Sequence, residues 1–192
     1  MRYTESYSES LIKLILIAFA VFLIAFFNFF NKTEASSIGP SGPSNAVNDT
    51  GIGSYSWDTP PKITLSDNQY ASRKIAVRGP GSTTIHSNYL KATGFGYSIP
   101  AGSTINGIIV EIEKSKKTTA NCHGSAAAIV TDNSVKIAQN GIISGNEKGQ
   151  AGSDWAKTDT YYSYGSNTDL WGLTWDADNI NSPNFGVAIS AT

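Results

Sequence analysis

The stretch INGIIVEIEK, residues 105–114, indicates the fold of this chain. Its apolar side chains at Ile108, Val110 and Ile112 fall on one face of an extended backbone, and two glutamates fall on the other. A repeat of two residues is typical of a β-strand rather than a helix. One apolar face and one mixed face predict a half-buried antiparallel strand.

The same alternation recurs on both sides of this strand. Further candidate strands are residues 73–77, 89–97, 126–130, 134–139, 142–144, 160–164, 170–175 and 184–191. The last candidate places Phe185, Val187 and Ile189 on one core-facing side. About eight short strands separated by turn residues predict an all-β fold, an antiparallel β-sandwich of the jelly-roll or Greek-key type.

The residues on either side of position 175 predict a strand followed by a turn of helix. The run 170–175 is predicted as a strand that packs its two tryptophans and a leucine against the core. The residues after it, 176–180, predict one turn of helix with Asp176 as the N-cap acceptor.

The N-terminal part of the chain has a different character. Residues 11–30, LIKLILIAFAVFLIAFFNFF, are apolar except for Lys13 and Asn28. About 20 such residues, at ~1.5 Å each, give a helix of roughly 30 Å, the thickness of the hydrocarbon core of a bilayer. The apolar residues surround the whole helix. Residues 1–31 are therefore predicted to form a membrane-directing helix.

Three fates fit this helix. It is kept as an N-terminal anchor, or it is a signal peptide removed after Ala35, where small residues resemble a cleavage site. The third is a pilin-type helix that forms the core of a filament. Glu9 stands where such a helix would begin, but no glycine precedes it. Each fate predicts export to the cell surface or the extracellular space.

Residues 32–54 have the Gly-, Pro- and Ser-rich composition of a flexible linker. Pro40 and Pro43 stop the helix from continuing. The β-sandwich domain is predicted at residues 55–192, about the size of a single domain.

Charge and cysteine content limit the possible functions. The chain of 192 residues carries 14 basic and 15 acidic side chains, and this balance argues against a nucleic-acid partner. Its only cysteine, Cys122, forms no internal disulfide. The stability of the domain is expected to come from packing and backbone pairing.

A longer set of segments resembles a known type of module. These are residues 66–71, 88–96, 99–108, 110–113, 168–175 and 184–189. Together they are similar to a β-sandwich module of phage tail-associated and bacterial surface proteins. The resemblance implies the fold and implies neither a catalytic residue nor a ligand. The hydrophobic N-terminus differs from the phage examples and indicates a cell-surface setting.

No motif predicts catalysis. Glu111 and Glu113 lie on one strand face about 7 Å apart and are interpreted as a solvated face. His86 and Ser87 are neighbours on an extended chain, so they point to opposite faces. The chain is predicted not to be an enzyme and to need no metal or other cofactor.

Short loops of the chain contain oxygen ligands of the kind that bind Ca²⁺. Asp176, Asp178 and Asn179 form one short loop cluster, and two Asp-Asn pairs, at 67–68 and 132–133, are similar. Capping and turn formation explain these residues without Ca²⁺.

The aromatic residues predict a second kind of site. Trp155, Tyr161, Tyr162 and Tyr164 lie in loop-like sequence, and such rings can stack on sugars. They are the candidate residues for binding a glycan or another partner, as in a surface adhesin.

The leading hypothesis is a non-enzymatic, exported cell-surface module that self-associates or joins other surface proteins, as in a pilus-like filament. Residues 11–30 would be its contact with the membrane. Ala46, Val47, Ile52 and Tyr55 belong to a candidate donor segment, which would complete the sheet of a neighbour by strand addition.

Overall fold

The computed structural model describes residues 36–74, 84–117 and 129–192. In these ranges the chain is mostly β-structure, which confirms the all-β prediction. The strands are β1 Asn45–Asp49, β2 Tyr89–Thr93, β3 Ile108–Lys114, β4 Asp132–Gln139, β5 Ile142–Ser144, β6 Thr160–Ser166 and β7 Gly186–Ala191. A 3₁₀-helix covers Pro60–Thr64 and a short helix, α1, covers Ala177–Asn181. All of them lie in one unit of the chain, residues 38–192.

The strands form two antiparallel sheets. One has the order β1-β2-β7-β4-β5 and the other pairs β3 with β6. The pairing is nested, since β2 pairs with β7 and β3, which follows β2, pairs with β6, which precedes β7. The hairpin between β4 and β5 turns at Asn140 and Gly141, which have φ values of 52° and 83°. Asn-Gly is the preferred pair for a turn that needs two positive φ values.

One core cluster contains residues from both sheets. Val135, Ile137 and Ile189 come from the five-stranded sheet, and Tyr164 comes from the two-stranded sheet. The inward face predicted for residues 108, 110 and 112 is confirmed, because these side chains pack against the cluster. Ile109, one position away, is 56% exposed.

The predicted strand at residues 170–175 is wrong, although its side chains reach the core. Trp171 is fully buried but has a left-handed φ of 58°. The Asp169 carboxylate accepts the Trp171 backbone N–H at 2.8 Å, and Leu173 N donates to Leu170 O at 3.1 Å. These bonds form turns, since an aspartate can bond the backbone two residues later. Burial of alternate residues therefore did not require a strand.

The first strand lies inside the segment predicted as a linker. Residues 45–49, NAVND, pair with β2 in antiparallel register, with Ala46 opposite Ala92. Ala46 is 3% exposed, while the flanking Asn45 and Val47 are exposed. The chain's own sheet thus begins before residue 55, because a short alternation was sufficient for an edge strand.

Several predictions fall on parts of the chain that are not described. These include the hydrophobic helix at 11–30, residues 75–77 and 126–128 of two candidate strands, and Cys122. Within the described ranges, no helix combines the length and the apolar character needed to cross a membrane.

Candidate functional site

A lysine and an aspartate meet in the interior of the domain. Lys114 is the last residue of β3 and shares its inward face with Ile112. Asp132 is the first residue of β4. Their side chains are only 5% and 0% exposed, and Lys114 Nζ donates to Asp132 Oδ1. The pair therefore joins the two sheets in a water-poor environment.

An irregularity in β4 turns Asp132 toward Lys114. In a regular strand Asp132 and Ser134 would point the same way. The register between β4 and β7 shifts between these two residues. Ser134 consequently contacts the Tyr89 hydroxyl at 2.7 Å on the other face of the sheet, and Asp132 faces the core. A β-bulge of this kind commonly redirects a side chain.

Each oxygen of the Asp132 carboxylate has two donors. Oδ1 accepts from Lys114 and from Trp155 Nε1 at 2.9 Å. Oδ2 accepts from the Tyr164 hydroxyl at 2.8 Å and from the Gln150 backbone N–H at 3.0 Å. The hydrogen-bonding capacity of this buried carboxylate is therefore satisfied, as the burial of charge requires.

Aromatic rings surround the Lys114 ammonium group. Nζ lies 4.2 Å from the ring centre of Tyr162, 4.9 Å from that of Trp155 and 5.2 Å from that of Tyr164. It also donates to the Tyr164 hydroxyl. We call Lys114, Asp132, Trp155, Tyr162 and Tyr164 the Lys–Asp centre. It places an amine, a carboxyl group and a phenol in mutual contact.

Burial changes the acid–base properties of the Lys–Asp centre. It lowers the pKa of the Lys114 amine, against the hydrogen bond and charge of Asp132, which act to raise it. Burial acts to raise the pKa of the Asp132 carboxyl, but hydrogen bonds from Lys114, Gln150 and Tyr164 outweigh it and hold that pKa below its ordinary value. Burial and Asp132 raise the pKa of the Tyr164 phenol, which keeps its proton.

A second ion pair lies near the Lys–Asp centre. Lys116 is 7% exposed and binds Asp154, the residue before Trp155. The other Asp154 oxygen accepts the Val130 backbone N–H at 2.9 Å, and Trp155 N donates to Val130 O at 2.7 Å. These bonds fix the loop that presents the Trp155 indole to Asp132.

The predicted aromatic site separates into two parts. Trp155, Tyr162 and Tyr164 converge on Lys114, with Trp155 7% and Tyr164 3% exposed. Tyr161 is 62% exposed, because neighbouring residues of β6 point to opposite faces. The structure brings three of the four predicted residues together, around a cation in the interior.

The candidate donor segment also divides. Ala46 and Val47 belong to β1, whereas Ile52 lies in the turn that follows. Tyr55 forms an isolated parallel bridge with Ser87, and its carbonyl accepts the Asn88 N–H at 2.8 Å. The segment is thus arranged along β2 and the residues that precede it.

The other polar candidates remain apart. Glu111 is exposed and accepts only a 3.5 Å bond from Ser163. His86 Nδ1 contacts the Thr192 hydroxyl at 2.9 Å. Asp176 caps α1 through the backbone N–H of Asn179 at 2.7 Å, as predicted. Among the described residues, no group of three or more side chains is suited to hold a metal ion.

Lys114 was not among the residues selected from the sequence, and Asp132 was noted only in an Asp-Asn pair with oxygen ligands suited to Ca²⁺. One signal was present, since Lys114 continues the inward alternation of residues 108, 110 and 112. A lysine at a core position needs a buried partner. The partner could not be identified, because the bulge that turns Asp132 inward leaves no mark on the alternation.

Comparison with protein-family models, with curated proteins and with solved structures gave no match.

Proposed function

We propose that this chain is a non-enzymatic structural module that is exported, faces the far side of a membrane, and assembles with other copies of itself by exchange of strand β1. The hydrophobic residues 11–30 support export. The edge position of β1, directly after the segment 36–44, is the observation that carries the assembly mode.

The way in which the two sheets pack and connect is also part of this proposal. We infer an antiparallel β-sandwich with jelly-roll connections, the fold predicted from the sequence. The nested pairing of β2 with β7 and of β3 with β6 supports it, because a long hairpin folded over two sheets gives this order. The shared core cluster of the two sheets supports it as well.

Few side chains hold β1 in place. Of its five residues only Ala46 is buried, and burial of one methyl group contributes about 0.8 kcal/mol. Asp49 binds Lys91 at 2.7 Å, but both side chains are partly exposed, and such pairs contribute roughly 0–1 kcal/mol. The other contacts of β1 are its backbone pairing with β2, two bonds between the Asn48 side chain and the Trp57 backbone, and a 3.2 Å bond from the Asn45 side chain to the Thr93 hydroxyl.

A second copy can supply the same interactions. Its β1 has the same sequence and would pair with β2 in the same register, so the exchange gains or loses few contacts. The segment 50–54, TGIGS, contains two glycines and would be the hinge. Confinement to one membrane raises the effective concentration of neighbours and thereby favours the exchanged form.

Cross-linking between different chains tests this assembly mode. Asn45 and Thr93 are register partners whose side chains are 3.2 Å apart. One full-length chain carries Asn45→Cys, a second carries Thr93→Cys, and both carry Cys122→Ser. The two are produced in one membrane and oxidised. A disulfide between the two chains is the expected result, because only exchange brings these residues together across chains.

The matched control places both cysteines in one chain. It must form a disulfide, within the chain or between copies, and thus proves that the pair can react. Efficient closure within that chain, with no mixed dimer from the separate variants, would overturn strand exchange.

A further inference from the structure

The Lys–Asp centre has the arrangement of a reaction site rather than of a simple ion pair. We propose that Lys114 and Asp132 condense to an amide, which forms a covalent cross-link between β3 of one sheet and β4 of the other. This modification is independent of how copies of the chain assemble.

The interior favours the neutral product. The two side chains are 5% and 0% exposed, so their charges have lost most of their hydration. An ion pair offsets that loss only in part. An amide carries no charge, and the water released by the reaction gains full hydration outside. The Trp155 indole N–H, which now binds Asp132 Oδ1, can bind an amide oxygen equally well.

Burial also prepares the nucleophile. The neutral amine, not the ammonium ion, attacks a carboxyl carbon, and burial lowers the pKa of Lys114. The close contact with Asp132 replaces a bimolecular encounter by a reaction within one molecule.

Two fixed donors activate the carboxyl group. Trp155 Nε1 lies 2.9 Å from Oδ1, where negative charge develops during attack. The Gln150 backbone N–H lies 3.0 Å from Oδ2. A preorganised donor at a developing oxyanion, here Trp155 Nε1, stabilises such an intermediate strongly in a water-poor site, and the Gln150 N–H polarises the carboxyl group at the oxygen that leaves.

Tyr164 provides the path for protons. Its hydroxyl accepts from Lys114 Nζ and donates to Asp132 Oδ2 at 2.8 Å, so it touches both reacting groups. One proton passes from the ammonium group through this hydroxyl to Oδ2, which gives a neutral amine and a neutral carboxylic acid. The phenol regains its proton at each transfer.

The amine then attacks Cγ. A bond forms between Nζ and Cγ, and Oδ1 becomes the oxyanion held by Trp155. A second proton passes from Nζ through Tyr164 to Oδ2, the bond between Cγ and Oδ2 breaks, and Oδ2 leaves as water. Three ammonium protons thus become one amide N–H and one water molecule, and no other reactant is needed.

The other ion pairs of similar geometry lack these features. Lys91 and Asp49 are 2.7 Å apart with side chains 18% and 28% exposed, and Lys148 and Asp169 are 2.6 Å apart and 25% and 24% exposed. No hydroxyl bridges either pair among their hydrogen bonds in the described part of the chain. We expect both to remain ionic.

Mass spectrometry of the full chain tests the cross-link. The expected mass is lower by one water molecule than the mass calculated for the residues present in the purified chain, and proteolysis should release a branched peptide that joins Lys114 to Asp132. Lys91 and Lys148 in the same digest should carry free amines. An intact mass equal to the calculated mass, with Lys114 free, would overturn the proposal without any variant.

Three substitutions test the mechanism. Asp132→Asn retains the carbonyl group but has ammonia as its leaving group, so its mass deficit should change from one water to one ammonia. Lys114→Arg should have no deficit. Tyr164→Phe retains the ring but lacks the hydroxyl that transfers protons, so a fraction of the folded protein should keep the full mass of the chain without the cross-link. Complete cross-linking in Tyr164→Phe would overturn the proposed relay.

Discussion

Trp155 donates its indole N–H to Asp132 Oδ1 at 2.9 Å, although Trp155 belongs to no strand and Asp132 begins one. The backbone of Trp155 is held by Val130, and the preceding Asp154 is held by Lys116. A loop therefore contributes a fixed donor to the interior. The indole is 7% exposed, and its polar atom contacts the carboxylate.

Replacement of this donor should weaken the domain. Trp155→Phe leaves an aromatic ring but removes the donor to the buried oxygen of Asp132, and leaving a buried acceptor without its partner costs about 1–3 kcal/mol. We expect the free energy of unfolding, measured by urea denaturation, to fall by about this amount. Tyr161→Phe is the control on the exposed face and should change it by less than about 0.5 kcal/mol. Equal effects of the two variants would contradict the assigned bond.

Gly53 should tolerate no side chain. Its φ is 67°, and a Cβ there would lie 2.1 Å from the backbone oxygen of Ser87. Gly96 has a φ of 68° with no atom within 4 Å of its Cβ position. Gly96→Ala should therefore cost only the left-handed conformation, about 1–2 kcal/mol. Gly53→Ala should cost clearly more, or should prevent folding at 37 °C, since backbone must move. Equal denaturation midpoints for the two variants would show that Ser87 gives way easily.

The strands that were predicted well have strong alternation. In β3 and β7 the apolar residues repeat every second position and pack against the core as predicted. In β7 the opposite face, with Ala188 and Ser190, is buried as well. The N-cap at Asp176 was predictable because the signal is local. Residues 170–175 have the same alternation, but the Asp169 side chain binds the Trp171 backbone N–H and forms an Asx turn there instead of a strand.

The Lys–Asp centre was only half predictable. Three of its aromatic residues were selected from the sequence, but as a surface platform. Loop-like sequence does not reveal that the Trp155 ring folds inward, and an alternation of tyrosine with polar residues in 160–164 does not show which face is buried. The inward position of Lys114 could be predicted from the alternation of β3. The inward position of Asp132 could not be predicted, since its orientation depends on a bulge and its donors come from residues 18 to 32 positions away.

Acid should reduce the contribution of the Asp49–Lys91 ion pair, which links β1 to β2, to the free energy of unfolding. The hydrogen bond from Lys91 and that from the Gly51 N–H lower the pKa of Asp49 from its ordinary value of 3.8. A carboxyl whose folded pKa is lowered contributes stability that is complete above the ordinary pKa and is lost as pH falls through the folded value. We expect a loss of up to ~1 kcal/mol from this group, since both side chains are partly exposed.

Asp49→Asn isolates this contribution. The variant should unfold more easily than the wild type at neutral pH, and the difference should vanish below the folded pKa, where Asp49 is protonated. Urea denaturation across that range measures it. Other acidic groups titrate in both proteins and cancel. A difference that stays constant down to acid pH would mean that the ionic bond to Lys91 contributes nothing.

The cap of α1 should stabilise the core as well as the helix. The Asp176 carboxylate accepts the Asn179 N–H at 2.7 Å, and the Asn179 side chain accepts the Asp176 N–H at 3.3 Å. The five-residue helix that they begin buries Ala177 and Ile180. Asp176→Ala should cost about 1 kcal/mol. Asp178→Ala, an exposed site in the same turn, should cost less, because it loses only a charge near the helix N-terminus.

Hydrogen exchange distinguishes a local from a global effect of this cap. Asn181 binds both the N–H and the carbonyl of Ile99, at 2.7 and 2.9 Å. Fraying of α1 in Asp176→Ala should therefore speed exchange at the Ile99 amide as well as at Ile180, while amides of β4 and β7 follow only the change in global stability. If Ile99 kept its full protection while Ile180 lost it, the bond of Asn181 to Ile99 would be independent of the helix, and the cap would stabilise α1 alone.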